Sequence, residues 1–200
     1  MLQINNIGFE YPDQEVLNNV SLSVDSGQLL HLKGKNGAGK STLIKIIAGL
    51  LTPHRGDVLL NHHSIYDDLL AYQKQLSFIG HKPGYHQLLT PSEIFSYLTL
   101  DNHQRNQLQQ LIHKFKISQY LDSPFYTFSA GTKRKISLMM LLSSPVKIWL
   151  LDEPLVSIDE ETISVVVNEL VNHLDGGGIC IMTSHQFVPL PGLIYQEYQL

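Results

Sequence analysis

Apolar and polar residues alternate along Leu2 to Phe9 and again along Val20 to Val24, the period of half-buried strands, and Asp25-Ser26-Gly27 forms a turn before a third strand, Gln28 to Leu32. This opening predicts antiparallel β-structure. From Lys40 the period changes, with Leu43, Ile44, Ile46, Ile47 and Leu50 at helical spacing up to Leu51 and a stop at Thr52-Pro53, before a strand near Asp57 to Leu60. Leu76 to Ile79 reads as a strand and His81-Lys82-Pro83-Gly84 as a loop. Thr90-Pro91-Ser92-Glu93 is a capping box with proline at the first helical position, so a helix is expected from Pro91 to about Leu100, and Gln104 to Phe115 predicts another. Lys147 to Leu151 and Ile179 to Thr183 are nearly continuous apolar strands separated by a helix, Glu160 to Leu174, the pattern of a parallel sheet covered on both faces. The expected fold class is α/β: a mixed core sheet, an antiparallel β subdomain and an inserted helical subdomain over about 66–145, within one domain spanning 1–200.

Composition narrows the classes. A chain of 200 residues with 43% hydrophobic residues fits one compact domain rather than a disordered or coiled-coil chain. The most apolar stretch, Ile136 to Leu151, is interrupted by Ser143, Ser144, Pro145 and Lys147, well short of the about 18 uninterrupted apolar residues of a spanning helix. Any membrane role is therefore expected to go through a partner. The first basic residue is Lys33, so no secretory or transit segment is expected. The single Cys180, inside Ile179-Cys180-Ile181-Met182, reads as a small core residue in a reducing compartment. Lys+Arg number 14 against Asp+Glu 18, which argues against a nucleic-acid partner. Among the 10 histidines, His62-His63 and His86 fall in polar loops without metal-ligand spacing, so solvated histidines and no direct haem ligand are expected.

Gly34-Lys35-Asn36-Gly37-Ala38-Gly39-Lys40-Ser41 matches G-x-x-x-x-G-K-[ST], followed by Thr42, and lies between a predicted strand and a predicted helix. The glycines let backbone N–H groups converge, and the helix start adds its partial positive charge, so the loop is an anion nest sized for a polyphosphate. Lys40 is placed to reach the β- and γ-phosphates, and the Ser41 hydroxyl to coordinate Mg²⁺. Ile148-Trp149-Leu150-Leu151-Asp152-Glu153-Pro154 is an apolar strand ending in two carboxylates. At the carboxyl edge of a parallel sheet, Asp152 can hold the Mg²⁺ shell and Glu153 can orient an attacking water.

Taken in order, these motifs resemble the nucleotide-binding domain of ABC-type ATPases over nearly the whole chain. Tyr11, in Phe9-Glu10-Tyr11-Pro12, is similar to the aromatic residue on which that family stacks adenine. Phe128-Ser129-Ala130-Gly131-Thr132 resembles the signature motif LSGGQ, Ser157-Ile158-Asp159 the D-loop, and His185, after Thr183-Ser184, the switch histidine that touches the γ-phosphate. Ser129 is placed to cap the helix beginning near Gly131, making a second anion-binding helix start that needs its own ligand. The resemblance implies a P-loop NTPase of ABC type that binds ATP and Mg²⁺, with two copies packing head to tail so that each ATP lies between one copy's phosphate loop and the other's Ser129, Gly131 and Asp159.

Two signature positions depart from the family pattern. Ala130 replaces a glycine and demands a backbone with φ below zero, as a helix start supplies, while Thr132 replaces a longer glutamine. The family's Q-loop glutamine is here His81, given the catalytic coupling role. The run from Gly80 to Glu93, Ala130, His185-Gln186 and the absence of a carboxy-terminal extension resemble the ATP-binding subunit of the bacterial cytochrome c maturation haem exporter. That resemblance implies an ATPase at the cytoplasmic face of the inner membrane, docked on integral membrane subunits, with Tyr85, Phe95, Tyr97 and Leu98 as candidates for their contact. The alternatives are an ATP-gated dimerising module with little hydrolysis and the ATPase of another small ABC exporter.

Overall fold

A computed structural model describes residues 1–81, 84–98, 100–184 and 195–200. Strands β1 (Leu2–Tyr11) and β2 (Gln14–Val24) pair antiparallel. With β4 (Arg55–Leu60) and β5 (His63–Ser64) they make a four-stranded sheet in the order β2-β1-β4-β5. The β1–β2 register shifts between Ile4 and Ile7, where Asn6 takes φ 52°, a left-handed conformation asparagine tolerates better than other side chains.

The other sheet has five strands, ordered β6 (Leu76–Ile79), β7 (Ile148–Asp152), β8 (Ile179–Thr183), β3 (Leu29–Lys33) and β9 (Tyr195–Gln199). Strands β7, β8, β3 and β9 pair in parallel. This corrects the expectation that the third strand belongs to the antiparallel opening. Leu29, Leu30, His31 and Leu32 are all buried, so β3 lacks the alternation of a one-sided strand and lies between β8 and β9.

By contact the chain forms two compact units, one of residues Met1–Phe78, Val146–Glu153 and Val171–Leu200, the other of Ile79–Pro145 and Pro154–Leu170. In the first, α1 (Lys40–Ile47) buries Leu43, Ile44, Ile46 and Ile47 in a core with Leu2, Ile4, Leu30, Leu32, Leu150 and Ile181. The helix stops short of the expected Leu51 because Gly49, at φ 68°, turns the chain and lets Leu50 N–H reach back to the Lys45 carbonyl at 2.8 Å. A short α2 (Leu69–Gln73), capped by Asp68, follows.

The second unit holds α3 (Pro91–Ser96), α4 (Asn102–Lys114) and α5 (Ala130–Leu142), together with the first part of α6 (Glu160–Asp175). The capping box is present in both senses: Glu93 N–H donates to Thr90 Oγ1 and Thr90 N–H to Glu93 Oε2. The helix ends at Ser96, earlier than expected. Phe125 is buried with its ring centroid 5.4 Å from Tyr85 and 5.6 Å from Phe128, whereas Tyr97 is exposed.

Candidate functional site

Strand β3 delivers the chain into the loop Gly34–Gly39, and α1 leaves it at Lys40. Two positive-φ glycines there differ in their surroundings. Gly39 has φ 96°, and a Cβ on it would stand 2.8 Å from Leu17 Cδ2 and 2.9 Å from Val16 Cγ1. Gly37 also has positive φ, 81°, but a Cβ would meet nothing within 4 Å, so the loop is open on that side. The buried Lys40 donates from Nζ to the carbonyls of Gly34 at 2.7 Å and Lys35 at 3.0 Å, which holds the ammonium over the loop. Ser41 is exposed beside it and Thr42 is buried. Tyr11, residues 36–42 of the loop and helix start, and Glu153 line one groove of about 360 Å³. Tyr11 is exposed there and packs edge-on against Phe9, with ring centroids 5.1 Å apart.

Asp152 ends β7 with its side chain buried, and the parallel register sets it opposite Thr183, the last residue of β8. Thr183 Oγ1 donates to Asp152 Oδ1 at 2.8 Å and accepts from the Glu153 N–H at 2.9 Å. One hydroxyl thus sets both carboxylate-bearing residues. Glu153 takes φ 52°, outside the preferred backbone regions of a residue with a Cβ. The donor set offered by Ser41 and Asp152, a hydroxyl and a carboxylate, consists of hard oxygens suited to Mg²⁺ rather than to a softer metal.

In the second unit Ser129 caps α5, accepting from the Thr132 N–H at 3.1 Å, and its hydroxyl lies 3.0 Å from that of Thr132. Ala130 is the first helical residue and avoids positive φ, as the departure from glycine requires. Gly131 has no such freedom of substitution: a Cβ would stand 2.5 Å from the Ser157 carbonyl oxygen, and Ser157 is itself at φ 62°. Asp159 caps α6, its Oδ1 accepting from Thr162 N–H at 2.9 Å and Thr162 Oγ1 at 2.8 Å, and its Oδ2 pairs with Lys135. The Lys135 ammonium holds the Asp159 carboxyl well below the usual carboxylate range, against the smaller opposing effect of burial. His81 is exposed at the rim of a cavity of about 250 Å³ that Lys133, Arg134 and Ser137 of α5 also line.

Sequence patterning brought most of these residues forward. His185 lies outside the described residues. Thr183 and Lys135 were not singled out as site residues, and neither was Leu200, whose carbonyl oxygen would stand 3.1 Å from a Cβ on Gly34 and whose N–H donates to the Lys33 carbonyl at 2.9 Å. The available signal was position: Thr183 ends an apolar strand at the same sheet edge as Asp152, and Lys135 lies one turn beyond Gly131.

The family model described as ABC transporter matches residues 17–156. A cytochrome c biogenesis ATP-binding export protein CcmA of Legionella pneumophila is 42% identical over 200 residues, covering all of both chains. The protein of the same description from Yersinia pseudotuberculosis is 32% identical over 188 residues, covering 93% of this chain and 86% of its own. Among solved structures, an ATP-binding subunit of an ABC transporter superposes with a TM-score of 0.81 at 29% identity, covering 92% of this chain and 80% of that one. A dimeric ATP-binding cassette in a post-hydrolysis state, bound to ADP and Pi, shares the fold with a TM-score of 0.78 at 20% identity, over 93% and 88% of the two chains.

Proposed function

The chain belongs to the ABC transporter family, as a CcmA-like ATP-binding subunit, and on that premise we propose that it hydrolyses MgATP to drive a membrane complex that handles haem for cytochrome c assembly. The observation that carries the reading is the groove holding Tyr11, the phosphate loop, Ser41 and Glu153 together, with Lys40 already held over the loop. Adenine stacks on Tyr11, and the triphosphate takes the loop N–H groups of Gly34 to Ser41, with Lys35, Asn36, Ala38 and Thr42 completing the cradle. The Lys40 ammonium exchanges its two carbonyls for phosphate oxygens, which as charged acceptors are stronger partners. Mg²⁺, when bound, neutralises charge on the phosphates, and Ser41 and Asp152 are the residues that would hold it.

Glu153 is the residue that orients the attacking water, its backbone fixed through Thr183. We assign the γ-phosphate contact of the switch to His185 by family resemblance, and to His81 the coupling role that glutamine has elsewhere in the family. Closure comes from a second copy, whose Ser129 and Gly131 present the free N–H groups of a helix start to the γ-phosphate. Hydrolysis removes that anion bridge and the pair reopens, moving the attached membrane subunits at the cytoplasmic face of the inner membrane. Among the described residues no helix is long and apolar enough to cross a membrane.

The test is phosphate release by the chain assembled with its membrane subunits. Wild type hydrolyses ATP, Lys40→Ala does not, and Glu153→Gln accumulates an ATP-bound dimer detectable by sedimentation. Unchanged hydrolysis in both variants overturns the assignment. One observation favours a second reading, an ATP-gated dimer with little turnover: Thr132 bonds back to the Ser129 hydroxyl, in competition with a phosphate. In that case sedimentation still detects the ATP-dependent dimer while phosphate release stays at background.

A further inference from the structure

Two helix ends in the second unit meet at one side chain of a third helix. Lys135, on α5, pairs through Nζ with Asp159, the cap of α6, and reaches the carbonyl of Phe115, the C-cap of α4, at 3.5 Å. Its side chain is only 18% exposed against 50% for Asp159, so the ammonium is the more enclosed member of the pair. A cation there suits both neighbours, since a helix C-terminus carries partial negative charge and Asp159 is a carboxylate. Asp159 in turn has both oxygens engaged within the chain, Oδ1 by Thr162 and Oδ2 by Lys135.

The same two segments touch at a second point. The Ser157 carbonyl lies so close to Gly131 that no Cβ fits between them. Gly131 and Lys135 are four residues apart on α5 and so share a helix face, the face turned to Ser157–Asp159. Two contacts on one face fix both the position and the rotation of the helix start that carries Ser129.

We propose that Lys135 is a positioning residue that locks the start of α5 to the Ser157–Asp159 segment, and that Asp159 acts through this lock instead of as a nucleotide ligand. The inference rests on the reading above, in which Ser129 and Gly131 face the ATP of a second copy. A signature helix free to rotate would still leave each copy's phosphate loop intact. Loss of the lock therefore lowers turnover and dimer closure without weakening the first encounter with ATP.

The experiment uses the chain assembled with its membrane subunits. Lys135→Met keeps the apolar stem and removes the charge. It should lower kcat by about tenfold or more with the KM for ATP within about twofold, and Lys135→Arg should restore kcat to within about threefold of wild type. Asp159→Asn keeps a good helix cap and breaks only the ion pair, so it serves even if Lys135→Met does not fold. Its effect and that of Lys135→Met should not multiply in the double variant, because one interaction is lost. In a Glu153→Gln background, both should weaken the ATP-driven dimer. Wild-type turnover in Asp159→Asn, multiplying effects in the double variant, or a rise in KM as large as the fall in kcat would overturn the proposal. Absence of hydrolysis in the wild-type complex together with absence of a Glu153→Gln dimer would instead sink the functional reading, whatever Lys135 does.

Discussion

The Thr183 hydroxyl joins two residues for which separate tasks are proposed, and its replacement by valine is the sharpest test of the site's internal order. Valine keeps the shape of threonine, so no cavity opens, and both hydrogen bonds of the hydroxyl vanish. The bond to Asp152 is made to a buried carboxylate and is worth about 1.5–3 kcal/mol, while the Glu153 N–H left without its acceptor costs about 1–3 kcal/mol. Because one oxygen makes both bonds, the two costs overlap, and a total of about 2–4 kcal/mol is expected. For a chain of this size that lowers the melting temperature by about 5–15 °C. Activity should fall further than stability, since Glu153 is held at φ 52° and relaxes once its N–H is released. A kcat lowered by about tenfold or more, with the KM for ATP nearly unchanged because neither hydrogen bond of the Thr183 hydroxyl involves Lys40 or the phosphate loop, is the signature. Urea unfolding measures the first quantity and phosphate release by the complex the second. Thr183→Ser is the control, as it keeps the hydroxyl and should cost only about 1 kcal/mol for the lost methyl. A Thr183→Val protein as stable and as active as wild type would refute the reasoning.

Other outcomes follow from the same geometry. Gly37→Ala and Gly39→Ala both place a side chain at positive φ, at about 1–2 kcal/mol each, but only Gly39→Ala also drives a Cβ into Leu17 and Val16, so thermal melting should rank it clearly the less stable; equal melting temperatures would contradict the packing described. Burial, with Lys33 next in weight, pushes His31 below its ordinary value. The unfolded chain therefore binds a proton that the folded chain refuses, so stability is whole above about pH 6.5 and declines as pH falls below it. Urea midpoints between pH 8 and pH 5 should slope less in His31→Leu than in wild type, and an identical slope would exclude the effect. Burial pushes the Cys180 thiol far up, so a thiol reagent should label the protein only under denaturing conditions; rapid labelling of the native chain would show an open core.

Much of the fold is legible because its signals are local. The period change at Lys40, the continuous apolar runs at β7 and β8 and the capping box at Thr90 each depend on residues within a few positions of one another. The misplaced strand β3 marks where local reading fails. Alternation defines a face only when one side meets water, and Leu29 to Leu32 meet none, so the residues alone do not choose between an antiparallel neighbour and β8. Strand β9 is the converse case: Gln196, Glu197 and Gln199 carry no apolar signal, and the strand exists because the backbone of β3 accepts it at the edge, with Lys33 paired to Glu197.

The site divides along the same line. Gly34 to Ser41 can be read directly because its chemistry belongs to consecutive backbone groups, and consecutive groups are what a sequence lists. Asp152 and Glu153 are nearly as visible, since an apolar strand announces the sheet edge at which they emerge. The residues that hold them are not visible, because their partners are set by register between strands and by rotation between helices. Thr183 meets Asp152 across thirty-one residues only if β7 and β8 pair as they do, and a slip of one residue would turn the hydroxyl to the opposite face. Lys135 meets Asp159 only if α5 presents the face that also carries Gly131. Phosphate binding can thus be inferred from the chain's order, whereas the roles proposed for Thr183 and Lys135 in hydrolysis rest on partners that only the fold selects, and substitutions at these two residues should separate the two.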